Sequence, residues 1–162
     1  MANNEAIVNV IRKITSDSGV PCKKTLQKIV FLIEAKRIDL GCDYGIHFYG
    51  PYSADLDYAI RELTDDGILN IAYTPMEHFI SVIDEDFGAS YDNRAIDSII
   101  SEFSKDSPSE LELIATALYV YLGVHDVGRI KDDVIKIKGS KYSVPKIDDA
   151  IKRLQVTGYI TA

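Results

Sequence analysis

Tryptophan is missing from this 162-residue sequence, and cysteine, methionine and histidine are scarce, at two, two and three copies. Cys22 and Cys42 belong to no close motif, so no disulfide framework is expected. His47, His78 and His125 are scattered and form no short-range ligand pair of the metal-site kind. Asp84-Glu85-Asp86 lacks the spacing of a calcium loop. There is no phosphate-cradling glycine loop and no Gly-x-Ser-x-Gly elbow. These absences argue against an enzyme, and no metal or cofactor is expected. No run approaches about 18 consecutive apolar residues, so no membrane span is expected either. The first residues lack the basic and apolar regions of a signal peptide, which points to a cytoplasmic protein.

Positive charge is also in deficit. Eighteen basic residues face 25 acidic ones, a net charge of −7, which weakens generic attraction to a phosphate backbone. The imbalance is local. Residues 71–106 hold 2 basic and 8 acidic side chains, whereas residues 107–162 hold 8 and 7.

What the chain does have is a phrase repeated at an offset of 91. Leu56, Ala59, Ile60 and Leu63 correspond to Ile147, Ala150, Ile151 and Leu154, the stripe of a helix with one buried face. Each copy runs into a glycine, Gly67 or Gly158, suited to a left-handed cap, and then into apolar residues. Helix, glycine stop and strand describe the third helix of a winged helix-turn-helix entering its wing.

The rest of the pattern predicts helices over 5–16 (capped by Asn4), 23–39, 92–104, 108–122 and 127–138, besides the two repeated ones. Ser107-Pro108-Ser109-Glu110 forms a capping box with proline in the first turn. The wing is expected at 68–74 and 78–84, with Ile68, Ile71 and Tyr73 on one side, and a last strand at Tyr159-Ile160-Thr161. The predicted fold is mainly α with small β (α+β), winged helix-turn-helix-like, with two related units packed into one body. Residues 1–90 form the first unit with its wing, and residues 91–162 an abbreviated second one.

Two motifs sit inside the first unit. Lys24-Thr25-Leu26-Gln27-Lys28-Ile29-Val30-Phe31 is followed by Tyr49-Gly50-Pro51-Tyr52-Ser53. Together they resemble the YwgA-like family of uncharacterised prokaryotic proteins. More distantly they are similar to the Panacea antitoxin domain, whose members carry a Lys-Leu-Gln-Lys-Leu helix and a later Tyr-Gly-Pro. The resemblance spans residues 20–70 and implies a winged-helix-like domain, no known chemistry, and a role in regulation or toxin control. Thr25, and Tyr52-Ser53 after the proline, favour the YwgA-like reading over the antitoxin one.

Two readings of these motifs stay open. In one, Gln27 satisfies its amide on the backbone of the Tyr49–Pro51 turn and the motifs lock the fold. In the other, Lys28, His47, Tyr49 and Tyr52 make a pocket for a peptide or small ligand. Lys23, Lys24, Lys28, Lys36 and Arg37 are expected to reach water, with the Lys28 stem lying on apolar surface.

Nucleic-acid binding divides the two repeated helices. The outer face of the first carries Asp55, Asp57, Glu62, Asp65 and Asp66 against Arg61, which repels phosphate. The second carries Lys146, Lys152 and Arg153, with Lys136, Lys138 and Lys141 upstream. The expected function is a non-enzymatic regulatory or interaction module acting through contacts with another protein, antitoxin-like in one form. The alternative is a sequence-specific DNA-binding regulator using the second unit. A homodimer is compatible with either.

Overall fold

The computed structural model describes residues 1–161 and is mainly helical, with two small antiparallel hairpins. In chain order the elements are α1 (Asn4–Ser18), α2 (Lys23–Glu34), β1 (Gly45–His47), β2 (Gly50–Tyr52), α3 (Ala54–Asp65), β3 (Leu69–Tyr73) and β4 (His78–Val82). The second half holds α4 (Arg94–Phe103), α5 (Pro108–Val124), a 3-10 turn at Val127–Arg129, α6 (Ile130–Lys138) and α7 (Val144–Val156).

Local chemistry sets the ends of these helices. Asn3, rather than Asn4, caps α1 by accepting from the Ala6 amide at 3.1 Å. Ser53 caps α3 and Asn93 caps α4 in the same way. The capping box of α5 closes in both directions, Ser107 N donating to Glu110 Oε1 and Glu110 N to Ser107 Oγ. In α7 the cap is Ser143, which puts Pro145 second in the helix rather than first. Helix α2 stops at Glu34, short of the predicted Asp39. The chain turns there through Arg37 at φ 63°, and the Glu34 carboxylate accepts from the Cys42 amide at 2.8 Å.

Two helices form the centre. Every residue of α2 from Thr25 to Ile33 is buried, and so is every residue of α5 from Leu111 to Leu118. They pack on each other, and around them lie α4, β2 and β4 on the α2 side and α6, α7 and β2 on the α5 side. One apolar cluster runs from Ala6 in α1 to Ile160 beyond α7, so both halves of the chain share it.

The repeated phrase forms two helices with corresponding buried stripes, except that Ile151 is only partly buried where Ile60 is fully so, and with matching ends. Ile68 N donates to Leu63 O and Tyr159 N to Leu154 O, each at 2.9 Å. After the glycine they diverge. The first copy enters β3, which pairs with β4, and Cys22 bridges to Phe79 on the other edge of β4 while Ile80 N donates to Pro21 O. Leu69, Ile71 and Tyr73 share a face of β3, so the face is offset by one residue from the predicted start at Ile68. The second copy makes a turn, not the predicted strand at Tyr159–Thr161. There the Tyr159 hydroxyl donates to Leu32 O and Lys36 Nζ to Thr157 O, both at 2.7 Å, pinning the segment to the end of α2.

The β1–β2 hairpin is inserted between α2 and α3, with Phe48 and Tyr49 at its tip. Gly50 has φ 92°, and a Cβ there would meet Thr116 Oγ1 at 2.8 Å and Glu112 Cγ at 3.4 Å. The hairpin therefore seats its backbone directly on α5. Gly50→Ala is expected to lose about 2 kcal/mol or more in urea unfolding, combining left-handed strain with overpacking. Gly45→Ala on the same hairpin meets no atom within 4 Å and no positive φ, and should stay within about 0.5 kcal/mol of the parent.

Candidate functional site: a lysine-lined cleft over a buried carboxylate

The α2 motif and the hairpin motif meet. Gln27 uses both ends of its amide on one residue: Nε2 donates to Ser53 O at 2.9 Å and Oε1 accepts from Ser53 N at 2.8 Å. That partner lies just past the Tyr49–Pro51 turn expected from sequence. Pro51 O is taken instead by Lys28 Nζ, at 3.0 Å. Lys28 is 3% exposed, contrary to the expectation that it reaches water. The reason is position: α2 is enclosed along its whole middle, so its charged residue has only the hairpin and α5 to face.

Opposite stands Glu112, also buried, on α5. Its Oε2 accepts from Lys141 Nζ at 2.8 Å and from the Tyr142 hydroxyl at 2.5 Å, with Lys138 Nζ at 3.3 Å. Lys138 also donates to Phe48 O at 2.7 Å. Two lysines from opposite halves of the chain thus hold two carbonyls of one hairpin, around one carboxylate.

The charges respond to this placement. Burial pushes the Lys28 ammonium down, Glu112 partly offsets this, and Lys138 and Lys24 add to it, leaving a pKa of about 8. Burial alone would raise the Glu112 carboxyl, but hydrogen bonds from Lys141 and Tyr142 and the charges of Lys138 and Lys141 outweigh it. Its pKa ends below the usual glutamate value. Tyr142 is pushed up by burial and by the carboxylate it serves.

Above this layer lies a cleft of about 310 Å³ lined by Lys24, Lys28, Tyr49, Glu77, Ser109, Glu112 and Lys141, among others. It adjoins a second hollow of about 300 Å³ that shares Lys24, Lys28 and Tyr49 and adds Tyr52, Met76 and His78. Lys24 Nζ sits 4.1 Å and Lys141 Nζ 5.7 Å from the centre of the Tyr49 ring. Of the four pocket residues expected from sequence, Lys28, Tyr49 and Tyr52 line this double cleft. His47 is exposed and stacks on Tyr52 with ring centres 4.7 Å apart. Glu112, Lys24 and Met76 were not singled out as site residues; an acid between Leu111 and Leu113 in an apolar helix was the signal for the first.

The six residues considered for nucleic acid do not form one set. Lys138 and Lys141 lie on Glu112, and Arg153 is held by Glu102 and Asp106 at 3.1 and 3.0 Å. Lys136, Lys146 and Lys152 are exposed, in company with exposed Asp148 and Asp149. On α3 the exposed positions include Asp55, Tyr58, Arg61 and Asp65, while Asp57 pairs with Lys23. Among the described residues no group of three or more His, Cys, Asp or Glu is placed to hold a metal ion. Nor is any helix long and apolar enough to cross a membrane.

No family model matches the chain. Its sequence is 29% identical over 158 residues to the uncharacterized protein YwgA of Bacillus subtilis (strain 168), covering 90% of this chain and 92% of that protein. This likeness supports a YwgA-like family. It extends well beyond residues 20–70, so the segments carrying Glu112, Lys138 and Lys141 fall within the aligned length.

Two outcomes test the buried layer. Between pH 8 and 10.5 the folded protein has shed the Lys28 proton while the unfolded chain retains it, so stability rises with pH through that window. Relative to Lys28→Met, the parent should gain about 2 kcal/mol between pH 7 and 9.5 in paired urea titrations. Glu112→Gln leaves Lys138 and Lys141 against a neutral amide and should cost about 3 kcal/mol at pH 7. That difference shrinks as pH falls through the depressed Glu112 value, where the parent carboxylate is itself protonated.

Proposed function

We propose that the protein is a cytoplasmic, non-enzymatic regulatory or interaction module of winged-helix type, acting through protein contacts at the double cleft. The winged-helix reading draws support from the order α1, bridge at Cys22, α2, α3, β3, β4, with the bridge joining the edge of β4 as the first strand of a winged-helix sheet does. The acidic outer face of α3 turns that helix away from its usual use in a DNA groove. Of the six basic residues considered for nucleic acid, Lys138, Lys141 and Arg153 are engaged by internal carboxylates, which leaves little continuous basic surface for a duplex.

The observation that carries the reading is the pair of turn tips at the cleft. Phe48, beside Tyr49, is 82% exposed, and Met76, beside Glu77, is 84% exposed. Large apolar side chains held out on two rigid hairpins flanking a charged cleft are suited to a partner surface with an apolar rim contact and an acidic centre. An antitoxin-like activity would be one form of such a module.

The experiment is capture from the native cell by the immobilised protein and by a Phe48→Ser, Met76→Ser double variant. One specific partner retained at least tenfold less by the variant is expected, with a Tm within about 3 °C of the parent because neither side chain is buried. Equal capture by both, or salt-sensitive binding of a duplex pool, would overturn the proposal.

A further inference from the structure

Two ammonium groups in the cleft, those of Lys24 and Lys28, make no ion pair, although Glu77 lines the same cleft. Among the described residues no carboxylate lies within 4.0 Å of Lys24 Nζ or Lys28 Nζ. Lys28 offers three N–H groups and its one protein acceptor is Pro51 O. Lys24 rests on the face of Tyr49. The two lysines lie at i and i+4 on one helix, an arrangement of like charges that is unfavourable without a counter-charge. Glu112, the nearby buried carboxylate, is already shared by Lys138, Lys141 and Tyr142. Three lysines, Lys24, Lys28 and Lys141, line the main cleft against two carboxylates, Glu77 and Glu112, so it is a cationic focus in a chain that carries −7 overall.

The chemistry of that focus selects among anions. All its cations are lysines, compact charges without the planar fork with which arginine matches a carboxylate. Ammonium groups without an ion-pair partner suit a phosphate monoester, which carries about −1.5 to −2 at neutral pH and can draw on Lys24, Lys28 and Lys141 together against Glu77. Ser109 adds a hydroxyl at the first turn of α5 on the opposite wall. The adjoining hollow offers Tyr49, Tyr52 and Met76 to the organic part of an ester, alongside Glu77 and His78, and lies next to the charged end.

We propose that the cleft is a receptor for a phosphate monoester, its phosphoryl group set between Lys24, Lys28 and Lys141 and its organic part against Tyr49 and Tyr52. This rests on the reading that the double cleft is the protein's binding surface, and it names the ligand class of that surface. The ester is either a free small molecule or a phosphorylated side chain of a partner.

Titration calorimetry of the full chain at pH 7 and low salt tests it with phenyl phosphate, benzoate and a short phosphoserine peptide. Phenyl phosphate should saturate, with benzoate at least tenfold weaker. Lys24→Met should weaken phenyl phosphate at least tenfold and, lying at the cleft surface, still fold. Lys152→Met, outside the cleft, should bind as the parent does. A peptide at least tenfold tighter than phenyl phosphate assigns the ester to a partner, and equal or weaker peptide binding assigns it to a small molecule. The proposal falls if phenyl phosphate does not saturate, if benzoate matches it, or if Lys24→Met has no effect or Lys152→Met an equal one. Partner capture that depends on Phe48 and Met76 without phosphate binding would sink this inference alone. Phosphate binding with no captured partner would sink the protein-contact reading alone.

Discussion

A single buried carboxylate organises the centre of this protein. Glu112 stands on the helix that α2, α6, α7 and β2 all pack against, and three donors from the α6–α7 region converge on its Oε2. Isolated, such a charge would be strongly disfavoured in an apolar interior. Here it is the condition that lets Lys138 be buried at the hairpin tip and keeps Lys28 from being still more destabilised inside α2. Remove it and two cations, Lys28 and Lys138, lose their reason to be inside. The Tyr-Gly-Pro hairpin then loses much of what seats it, because Phe48 O and Pro51 O are held by those lysines.

This arrangement makes the two halves of the chain interdependent in a way that hydrophobic packing alone does not. An apolar core tolerates changes of detail so long as volume is conserved. A charge layer is less forgiving, since each member is acceptable only while its partners are present. Lys28 comes from the first half, Lys138, Lys141 and Tyr142 from the second, and Gly50 lets the hairpin approach α5 closely enough to join them. The repeated helices bury corresponding stripes, with Ile151 less covered than Ile60, yet their ends serve different neighbours. After Gly67 the chain builds a hairpin, and after Gly158 it is fastened to α2 by Lys36 and Tyr159.

Much of the fold was legible in the residue pattern because it is written locally. Stripes at helical spacing, the box at Ser107–Glu110, the caps at Ser53 and Gly67 and the alternation of β3 and β4 each involve residues within a few positions of one another. Their boundaries slipped where a distant contact intervened, as at Glu34, whose carboxylate turns to Cys42, and at Tyr159, whose hydroxyl reaches Leu32. The site was legible in part. Lys28, Tyr49 and Tyr52 stood out through their motifs, but a lysine in a helix is read as solvent-facing by default, and nothing near Lys28 in sequence announces a carboxylate on α5. The layer depends on pairing across the whole chain, which periodicity does not encode.

The same layer explains why the cationic cleft persists in an acidic protein. If Glu112 neutralised Lys24 and Lys28 as well, the cleft would be a closed ion-pair network with no demand for a ligand. It does not do so: its Oε2 is taken by Lys138, Lys141 and Tyr142, and neither Lys24 nor Lys28 lies within 4.0 Å of it. The carboxylate is close enough to make Lys28 tolerable and too distant to pair with it. Burial lowers the readiness of Lys28 to hold its proton, and an incoming anion restores it, so binding and the charge state of this lysine are coupled. A fold that needs a buried acid to assemble has, by spending that acid on its second half, left its first half with charge to offer.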